Sequence, residues 1–277
     1  MTTASPTGLL DFTGRTVVIT GAASGMGAET TELLLAAGAT VHTIDVALVD
    51  TPVARTHRCD LGDQSSIDAT VADLPDRIDV LMNCAGVPNG GRFTPEEVMR
   101  INWLGLRHLT EAVLPRMSTG SAIVHIASTA GRAWPERATE MEELMAAASI
   151  EDGLAWIRDH TEVVGDGYAF SKECVQYYTH WRSVQLLRRG VRMNSVCPGI
   201  TDTGIIADFR KGMGEDLIDH AEAVAGRMAE PREMAPAMLF LADRVSSSYV
   251  VGVNLNIDHG TGAARLSGQD DPSVVYG

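Results

Sequence analysis

Short β-branched runs alternate along the chain with longer stretches whose apolar residues recur at helical spacing. These runs predict strands at 15–20, 40–45, 78–82, 121–127, 191–196 and 253–257. The helical spacing predicts one helix after the first strand and others at 94–117, 168–187 and 231–241. Since a helical crossover joins strands that run parallel, the alternation predicts an α/β fold. We expect a doubly wound parallel sheet with helices on both faces.

The stretch between Ala130 and Gly167 interrupts this alternation, because it has no strand pattern. It contains two helix-like pieces, MEELMAAA and a segment that begins at Ser149 with Asp152 three residues later, which is a capping pattern. We predict a helical insertion at about 132–166. The polar tail after Asp258 is expected to be loose.

Length and composition indicate one globular domain over residues 1–277, with 45% hydrophobic and 21% charged residues. The 22 Lys and Arg against 36 Asp and Glu give a net charge of −14, which disfavours nucleic acid and anionic membrane surfaces as partners. No apolar stretch approaches the ~20 residues of a membrane span, and no C-x-x-C pair suggests a metal site. We expect a soluble, cytoplasmic protein without a metal.

A glycine-rich turn follows the first predicted strand, with Gly21, Gly25 and Gly27 in the sequence GAASGMG. The spacing departs from the common G-x-G-x-x-G pattern. Glycines still let the backbone approach a pyrophosphate, and the N-terminus of the next helix favours an anion. The turn therefore predicts a dinucleotide site, with a ligand-free β-to-α turn as the alternative.

Asp45 ends the second predicted strand, about twenty residues beyond the turn, where a carboxylate can accept hydrogen bonds from ribose hydroxyls. Its charge would repel a 2′-phosphate, and neither 22–24 nor 46–47 supplies a basic residue to hold one. We therefore expect NAD rather than NADP. The alternative is a surface aspartate at a strand end.

Tyr168 and Lys172 are four residues apart and therefore share one face of the predicted helix. An adjacent ammonium favours the phenolate, so Lys172 is expected to lower the pKa of Tyr168. Such a pair can exchange a proton with an alcohol or ketone oxygen. The alternative is an ordinary pair on a solvated face.

Together these features resemble the short-chain dehydrogenases/reductases, and the resemblance covers nearly the whole chain. The motifs occur in family order: TGAASGMG at 20–27, CDL at 59–61, NCAG at 83–86, Asn102, IVHIASTAG with Ser128, YAFSK with Tyr168 and Lys172, and PGITDT at 198–203. The family has a Rossmann-type sheet. The resemblance implies that Tyr168 is the general acid/base, that Lys172 holds the nicotinamide ribose, that Ser128 binds the substrate oxygen and that Asn102 supports a proton-relaying water.

The resemblance also implies a cofactor-binding set. Asp60 meets the adenine amino group, 83–86 lines the adenine ribose, and Ile200 with Thr203 fixes the carboxamide. The full set comprises Gly21, Ser24, Gly25, Met26, Gly27, Asp45, Asp60, Leu61, Asn83, Ala85, Gly86, Tyr168, Lys172, Pro198, Gly199, Ile200 and Thr203. Cys84, His125 and the 258–260 segment depart from the family pattern, and we assign Cys84 and His125 no chemical role.

Ser128 and Tyr168 are 40 positions apart, far more than is usual in the family. This insertion looks like that of the bacterial 3α-hydroxysteroid dehydrogenase/carbonyl reductases, where it blocks a four-helix interface. The resemblance implies a homo-oligomer, a dimer rather than a tetramer. The apolar side chains of the insertion could cover a flat substrate or pack on the body; they are Trp134, Met141, Leu144, Met145, Leu154 and Trp156.

The expected function is NAD-dependent interconversion of a secondary alcohol and a ketone, on a hydroxysteroid or a similar bulky apolar substrate. One alternative is a 3-oxoacyl carrier-protein reductase or another short-chain carbonyl reductase, and NADPH preference would mark it. A remote alternative is a non-catalytic NAD-binding sensor.

Overall fold

A computed structural model describes residues 9–270 and shows a single parallel sheet. Its strands are β1 Thr16–Thr20, β2 Thr40–Asp45, β3 Arg55–Arg58, β4 Val80–Asn83, β5 Ala122–Ile126, β6 Arg192–Pro198 and β7 Asn254–Ile257. The order is β3-β2-β1-β4-β5-β6-β7, and every neighbouring pair is parallel. The predicted doubly wound parallel sheet is confirmed.

Helices cover both faces of this sheet. They are α1 Gly25–Ala36, α2 Gln64–Asp73, α3 Pro95–Met99, α4 Leu106–Val113, α5 Ala138–Met145, α6 Ile150–Asp159, α7 Thr161–Val164, α8 Tyr168–Leu186, α9 Ile206–Met213, α10 Glu215–Ala225, α11 Ala235–Ala242 and α12 Thr261–Leu266. Because side chains alternate along a strand, Val17 packs with α1 and α11 on one face, whereas Val18 packs with α2, α4 and α8 on the other. Within residues 9–270, no helix is both long enough and apolar enough to cross a membrane.

Several elements differ from the sequence prediction. The edge strand β3 escaped it because RTHR is polar and three of its four residues are exposed. The long helix predicted at 94–117 is divided by a π-helical segment, Arg100–Gly105, and ends in a 3₁₀ turn. The tail predicted to be loose carries α12, while its last seven residues lie outside the described part of the chain.

The insertion consists of a 3₁₀ segment, Thr129–Arg137, followed by α5, α6 and α7. Most of its apolar side chains pack on the body: Met141, Leu144 and Leu154 are fully buried in the same core as Trp103. Arg107 on α4 joins the insertion to the body at the end of α5. Its guanidinium donates hydrogen bonds to the carbonyls of Met145 at 2.8 Å and of Ala147 at 3.1 Å. Of the two roles left open for the apolar residues, packing therefore holds for this group.

Candidate active site

Ser128 lies just beyond the carboxyl end of β5, where it caps the 3₁₀ segment that opens the insertion. Its hydroxyl accepts a hydrogen bond from the Ala130 amide at 3.1 Å. Gln176, one turn beyond Lys172 on α8, donates to the Ser128 carbonyl oxygen at 2.6 Å. The Ser128 hydroxyl is therefore held by its own turn, and the Ser128 backbone is held by the neighbouring helix.

Tyr168 is the first residue of α8 and follows Gly167, whose φ of 83° is a left-handed conformation that favours glycine. A side chain at position 167 would also run into the Pro95 backbone. Asp166 accepts a hydrogen bond from the Tyr168 amide at 2.9 Å. The tyrosine ring packs edge-on against Phe209 of α9, with centroids 4.7 Å apart.

The pKa of Tyr168 is shifted in the opposite direction from the one that the sequence predicted. Burial raises the pKa of Tyr168 to about 12; the Ser128 hydroxyl opposes this shift and the Asp166 carboxylate adds to it. Lys172 is 5.6 Å from the tyrosine ring centroid, yet the pKa goes up rather than down. The cost of desolvating the phenolate is the larger effect. The phenol of Tyr168 is therefore neutral at neutral pH.

Lys172 is only 4% exposed, and its ammonium donates to the Ile126 carbonyl oxygen at 3.0 Å. Burial lowers the pKa of Lys172 to about 8, against the opposing influence of Cys197 and Cys84. The lysine therefore carries a positive charge at neutral pH. It occupies the same helical face as Tyr168, as the i, i+4 spacing predicts.

Asn102 lies in the π-helical segment and is fully buried. Its side chain forms two hydrogen bonds with Val87, accepting from the amide at 2.8 Å and donating to the carbonyl at 2.9 Å. A Cβ on Gly86 would lie 3.3 Å from the Asn102 oxygen and 3.5 Å from the Lys172 ammonium. The fold thus brings Asn102, Gly86 and Lys172 together.

The glycine-rich turn packs too tightly to carry side chains. Gly21 has a φ of 70°, and a Cβ there would lie 2.7 Å from the Ala85 backbone. A Cβ on Gly27 would collide with the Gly21 carbonyl. Ser24 is the N-cap of α1, so the helix begins at Gly25 and its free amides face the turn. This arrangement fits the pyrophosphate of a dinucleotide.

Asp45 lies beside this turn, as predicted. One carboxylate oxygen accepts from the Ala23 amide and the other from the Ala47 amide, each at 2.9 Å. Both bonds fix the carboxylate at the end of β2. In the sheet register, Asp45 is paired with Arg58 on β3, a cation that the sequence reasoning missed because β3 was not predicted.

The other predicted cofactor residues fall into two groups. One group lines a cavity of about 850 Å³ together with Ser128, Tyr168 and Lys172; it comprises Met26, Gly86, Pro198, Gly199, Ile200 and Thr203. The second group, Asp60, Leu61, Asn83 and Ala85, does not line this cavity. Asp60 folds back on the Gly62 amide at 2.7 Å, Leu61 is buried in the core, and Ala85 donates its amide to Thr20 at 3.0 Å. Asn83 points into the body, where its amide donates to Thr110 at 3.0 Å, so only its backbone can line a cofactor site.

The remaining wall of the cavity comes from residues that the sequence reasoning did not single out. Helices α9 and α10 supply apolar side chains, namely Ile206, Phe209, Met213, Leu217, Ile218 and Val224. Their amphipathic spacing after the PGITDT motif is a signal that could have found them. Trp134 also lines the cavity, so this member of the insertion does face the site.

Comparison with known proteins identifies the family. A model described as short chain dehydrogenase matches residues 15–139, and a model described as enoyl-(acyl carrier protein) reductase matches residues 159–262. The chain belongs to the short-chain dehydrogenase family. It is an oxidoreductase of that family, whose fold binds a nicotinamide cofactor. The glycine-rich turn, with Gly21, Gly25 and Gly27, fits that cofactor.

Three relatives of this short-chain dehydrogenase span nearly its whole length. Coniferyl-alcohol dehydrogenase from a Pseudomonas species is 32% identical over 255 residues, covering 91% of this chain and 98% of the relative. The 3-alpha-hydroxysteroid dehydrogenase/carbonyl reductase of Comamonas testosteroni is 30% identical over 251 residues, covering 89% and 96%. A crystal structure of 3-alpha-hydroxysteroid dehydrogenase from a Pseudomonas species, complexed with NADH, has a TM-score of 0.77 at 30% identity and covers 91% and 98%.

Cys84 and His125, where the sequence of this short-chain dehydrogenase departs from the family motifs, have neutral side chains at physiological pH. Burial raises the pKa of the Cys84 thiol to about 12 and lowers the pKa of His125 to about 3. His125 is fully buried, and one ring nitrogen lies 3.0 Å from the Asn83 amide. Neither side chain is therefore suited to proton transfer near neutral pH.

Proposed function

We propose that this chain is an NAD(H)-dependent enzyme that interconverts an alcohol and a carbonyl on a bulky, largely apolar substrate such as a hydroxysteroid. The observation that carries the proposal is the placement of Ser128, Tyr168 and Lys172 in one cavity with apolar walls from α9 and α10. A cavity of about 850 Å³ has room for a substrate of this size beside a nicotinamide.

The chemistry divides between cofactor and protein. A bound nicotinamide supplies or accepts the hydride. In reduction, the neutral Tyr168 phenol donates a proton to the substrate carbonyl oxygen while the Ser128 hydroxyl hydrogen-bonds the same oxygen. In oxidation, the phenolate form of Tyr168 takes the alcohol proton. Lys172 stabilises that phenolate by its positive charge and can hold the ribose hydroxyls.

NAD rather than NADP is supported by Asp45. Its carboxylate is fixed by the amides of Ala23 and Ala47. The adenine ribose of a dinucleotide whose pyrophosphate binds at the N-terminus of α1 would lie beside it. A negative charge held there attracts ribose hydroxyls and repels a 2′-phosphate.

A second substrate class is an aromatic alcohol of the coniferyl type. The coniferyl-alcohol dehydrogenase relative, which matches over 91% of this chain, favours it. The aromatic side chains Trp134 and Phe209 in the cavity wall suit a flat ring.

The test follows absorbance of the reduced nicotinamide with NAD or NADP and panels of 3α-hydroxysteroids, coniferyl-type alcohols and short polar alcohols. Turnover with NAD on either bulky panel supports the proposal. Turnover restricted to short polar alcohols overturns the substrate class. Clear NADPH preference on an acyl carrier-protein thioester would point instead to a carrier-protein reductase.

A further inference from the structure

Two arginines face the substrate cavity without an evident task in hydride or proton transfer. Arg132 lies four residues beyond Ser128, and Arg265 lies on α12. Both line the same cavity as Tyr168. Arg132 donates one long hydrogen bond, 3.4 Å, to the Thr129 carbonyl; within residues 9–270 no carboxylate lies within 4.0 Å of it. Arg265 is 3.7 Å from Asp270, and both side chains are about 40% exposed.

The charge of this cavity is opposite to that of the protein. The chain has a net charge of −14, yet among the described lining residues the cations are Arg132, Lys172 and Arg265, and Asp270 is the single carboxylate. Lys172 is engaged at Ile126 beside Tyr168. The two guanidiniums repel each other: the pKa of Arg132 is lowered by burial and further by Arg265, although the carboxyl of Glu173 opposes this shift. An anion placed between them would remove this repulsion.

The position of the arginines separates them from the phosphates of the cofactor. The pyrophosphate fits at the N-terminus of α1, and the adenine ribose fits beside Asp45. Arg132 instead follows Ser128, and α12 packs against α10, which supplies part of the apolar cavity wall. The pair therefore belongs to the substrate side of the cavity.

We propose that the substrate carries a carboxylate, bound by Arg132 and Arg265, in addition to the alcohol or carbonyl that reacts at Tyr168. The inference rests on the proposed function and specifies its substrate class. Guanidinium groups match a carboxylate through paired N–H donors. Phe209, Met213 and Leu217 cover the apolar body between the two ends. Asp270 limits the pair to a net charge of about one, which suits a single carboxylate.

The experiment compares matched substrates on the NAD-loaded enzyme: 3α-hydroxysteroids that end in a carboxylate with their methyl esters, and carboxylated benzyl alcohols with theirs. We expect a KM about tenfold lower for each acid than for its ester. Arg132→Gln and Arg265→Gln should each raise the KM of the acid by about tenfold and change the KM of the ester much less. Arg188→Gln, an exposed arginine outside the cavity, is the matched control.

Calorimetric binding of the same acids and esters to the enzyme–NADH complex separates the two proposals. Equal affinity for acid and ester, or an equal loss for both in the arginine variants, overturns the carboxylate inference even when turnover is seen. Arg-dependent binding of the acid without turnover of any alcohol supports the subsite and overturns the proposed function. The acid–ester comparison in the unaltered enzyme stands even where an arginine variant folds poorly.

Discussion

The Lys172 ammonium donates a 3.0 Å hydrogen bond to the carbonyl oxygen of Ile126, joining helix α8 to the last residue of β5. Ser128 comes two residues after Ile126, and Tyr168 lies one helical turn before Lys172. This hydrogen bond links the two segments that carry Tyr168 and Ser128, the proposed proton donor and the residue proposed to bind the substrate oxygen. The placement of Tyr168 relative to Ser128 follows from this link as well as from the Gln176 bond to Ser128.

Replacing Tyr168 with Phe is expected to abolish most turnover while NAD binding is retained. The change removes the proton donor but keeps the ring that packs against Phe209. General acid–base catalysis contributes about 10²–10⁴-fold, so kcat should fall by that amount. Steady-state rates and NADH fluorescence titration measure the two effects. Tyr249→Phe, at a fully exposed tyrosine, is the control; equal activity of Tyr168→Phe and wild type would refute the mechanism.

Removing the Ser128 hydroxyl is expected to move the pH profile of alcohol oxidation to higher pH. The hydroxyl lowers the pKa of Tyr168, whereas Asp166 raises it. Oxidation needs the phenolate, so kcat/KM should rise with pH up to the raised pKa of Tyr168, about 12. Ser128→Ala should displace this rise towards alkaline pH, and Asp166→Asn should displace it towards acid pH. Shifts in the same direction for both variants would contradict the assignment.

Asp45→Ser is expected to relax the preference for NAD over NADP by about tenfold or more. The substitution removes the charge that repels a 2′-phosphate and leaves Arg58, its partner in the sheet register, as the neighbouring cation. The ratio of kcat/KM for the two cofactors is the measurement. Asp50→Ser, at an exposed aspartate after β2, is the control, and an unchanged ratio in Asp45→Ser would sink the cofactor proposal.

Glu173→Gln is expected to stabilise the protein above neutral pH. Glu173 is 1% exposed, and burial raises its pKa from 4.5 to about 7, although Arg137 at 3.5 Å opposes the shift. A carboxyl whose pKa is raised on folding contributes stability below pH 4.5 that is lost as pH rises through about 7. The variant keeps the neutral form at every pH, so it should gain roughly 1–3 kcal/mol at alkaline pH and little below pH 4.5.

Urea denaturation at two pH values tests this expectation. The exposed Glu32→Gln on α1 provides the matched control. A Glu173→Gln variant that is less stable than wild type at both pH values would show that the ion pair with Arg137 outweighs the cost of burying the charge.

We propose that the protein is a dimer rather than a tetramer. The insertion packs on α4 and α8 through Arg107 and through the Tyr177 hydroxyl, which donates to Glu142 at 2.7 Å. That surface of α8 is therefore covered by the chain itself. Light scattering coupled to size exclusion should give twice the mass of the chain, and a tetramer would show that the covered surface is not needed for assembly.

Much of the fold, and the pairing of Tyr168 with Lys172, could be predicted from local sequence patterns. Strands buried on both faces read as continuous apolar runs, and parallel strands place their carboxyl ends at one edge, so the positions of the glycine turn and Asp45 were predictable. The i, i+4 spacing alone put Tyr168 and Lys172 on one helical face. The polar strand β3 lacked such a pattern, and the cation beside Asp45 was missed with it.

The sequence by itself determined the sheet, the glycine-rich turn and the shared helical face of Tyr168 and Lys172, because each depends on neighbours a few positions apart. Only the tertiary structure decided that Tyr168 is held as a neutral phenol, since burial raises its pKa and its ring packs against Phe209, which is distant in the chain. It also decided that Arg132 and Arg265 face one cavity. The charge state of a side chain in the site depends on all the groups that surround it. Most of those groups are distant in the sequence, so a local sequence pattern does not reveal it.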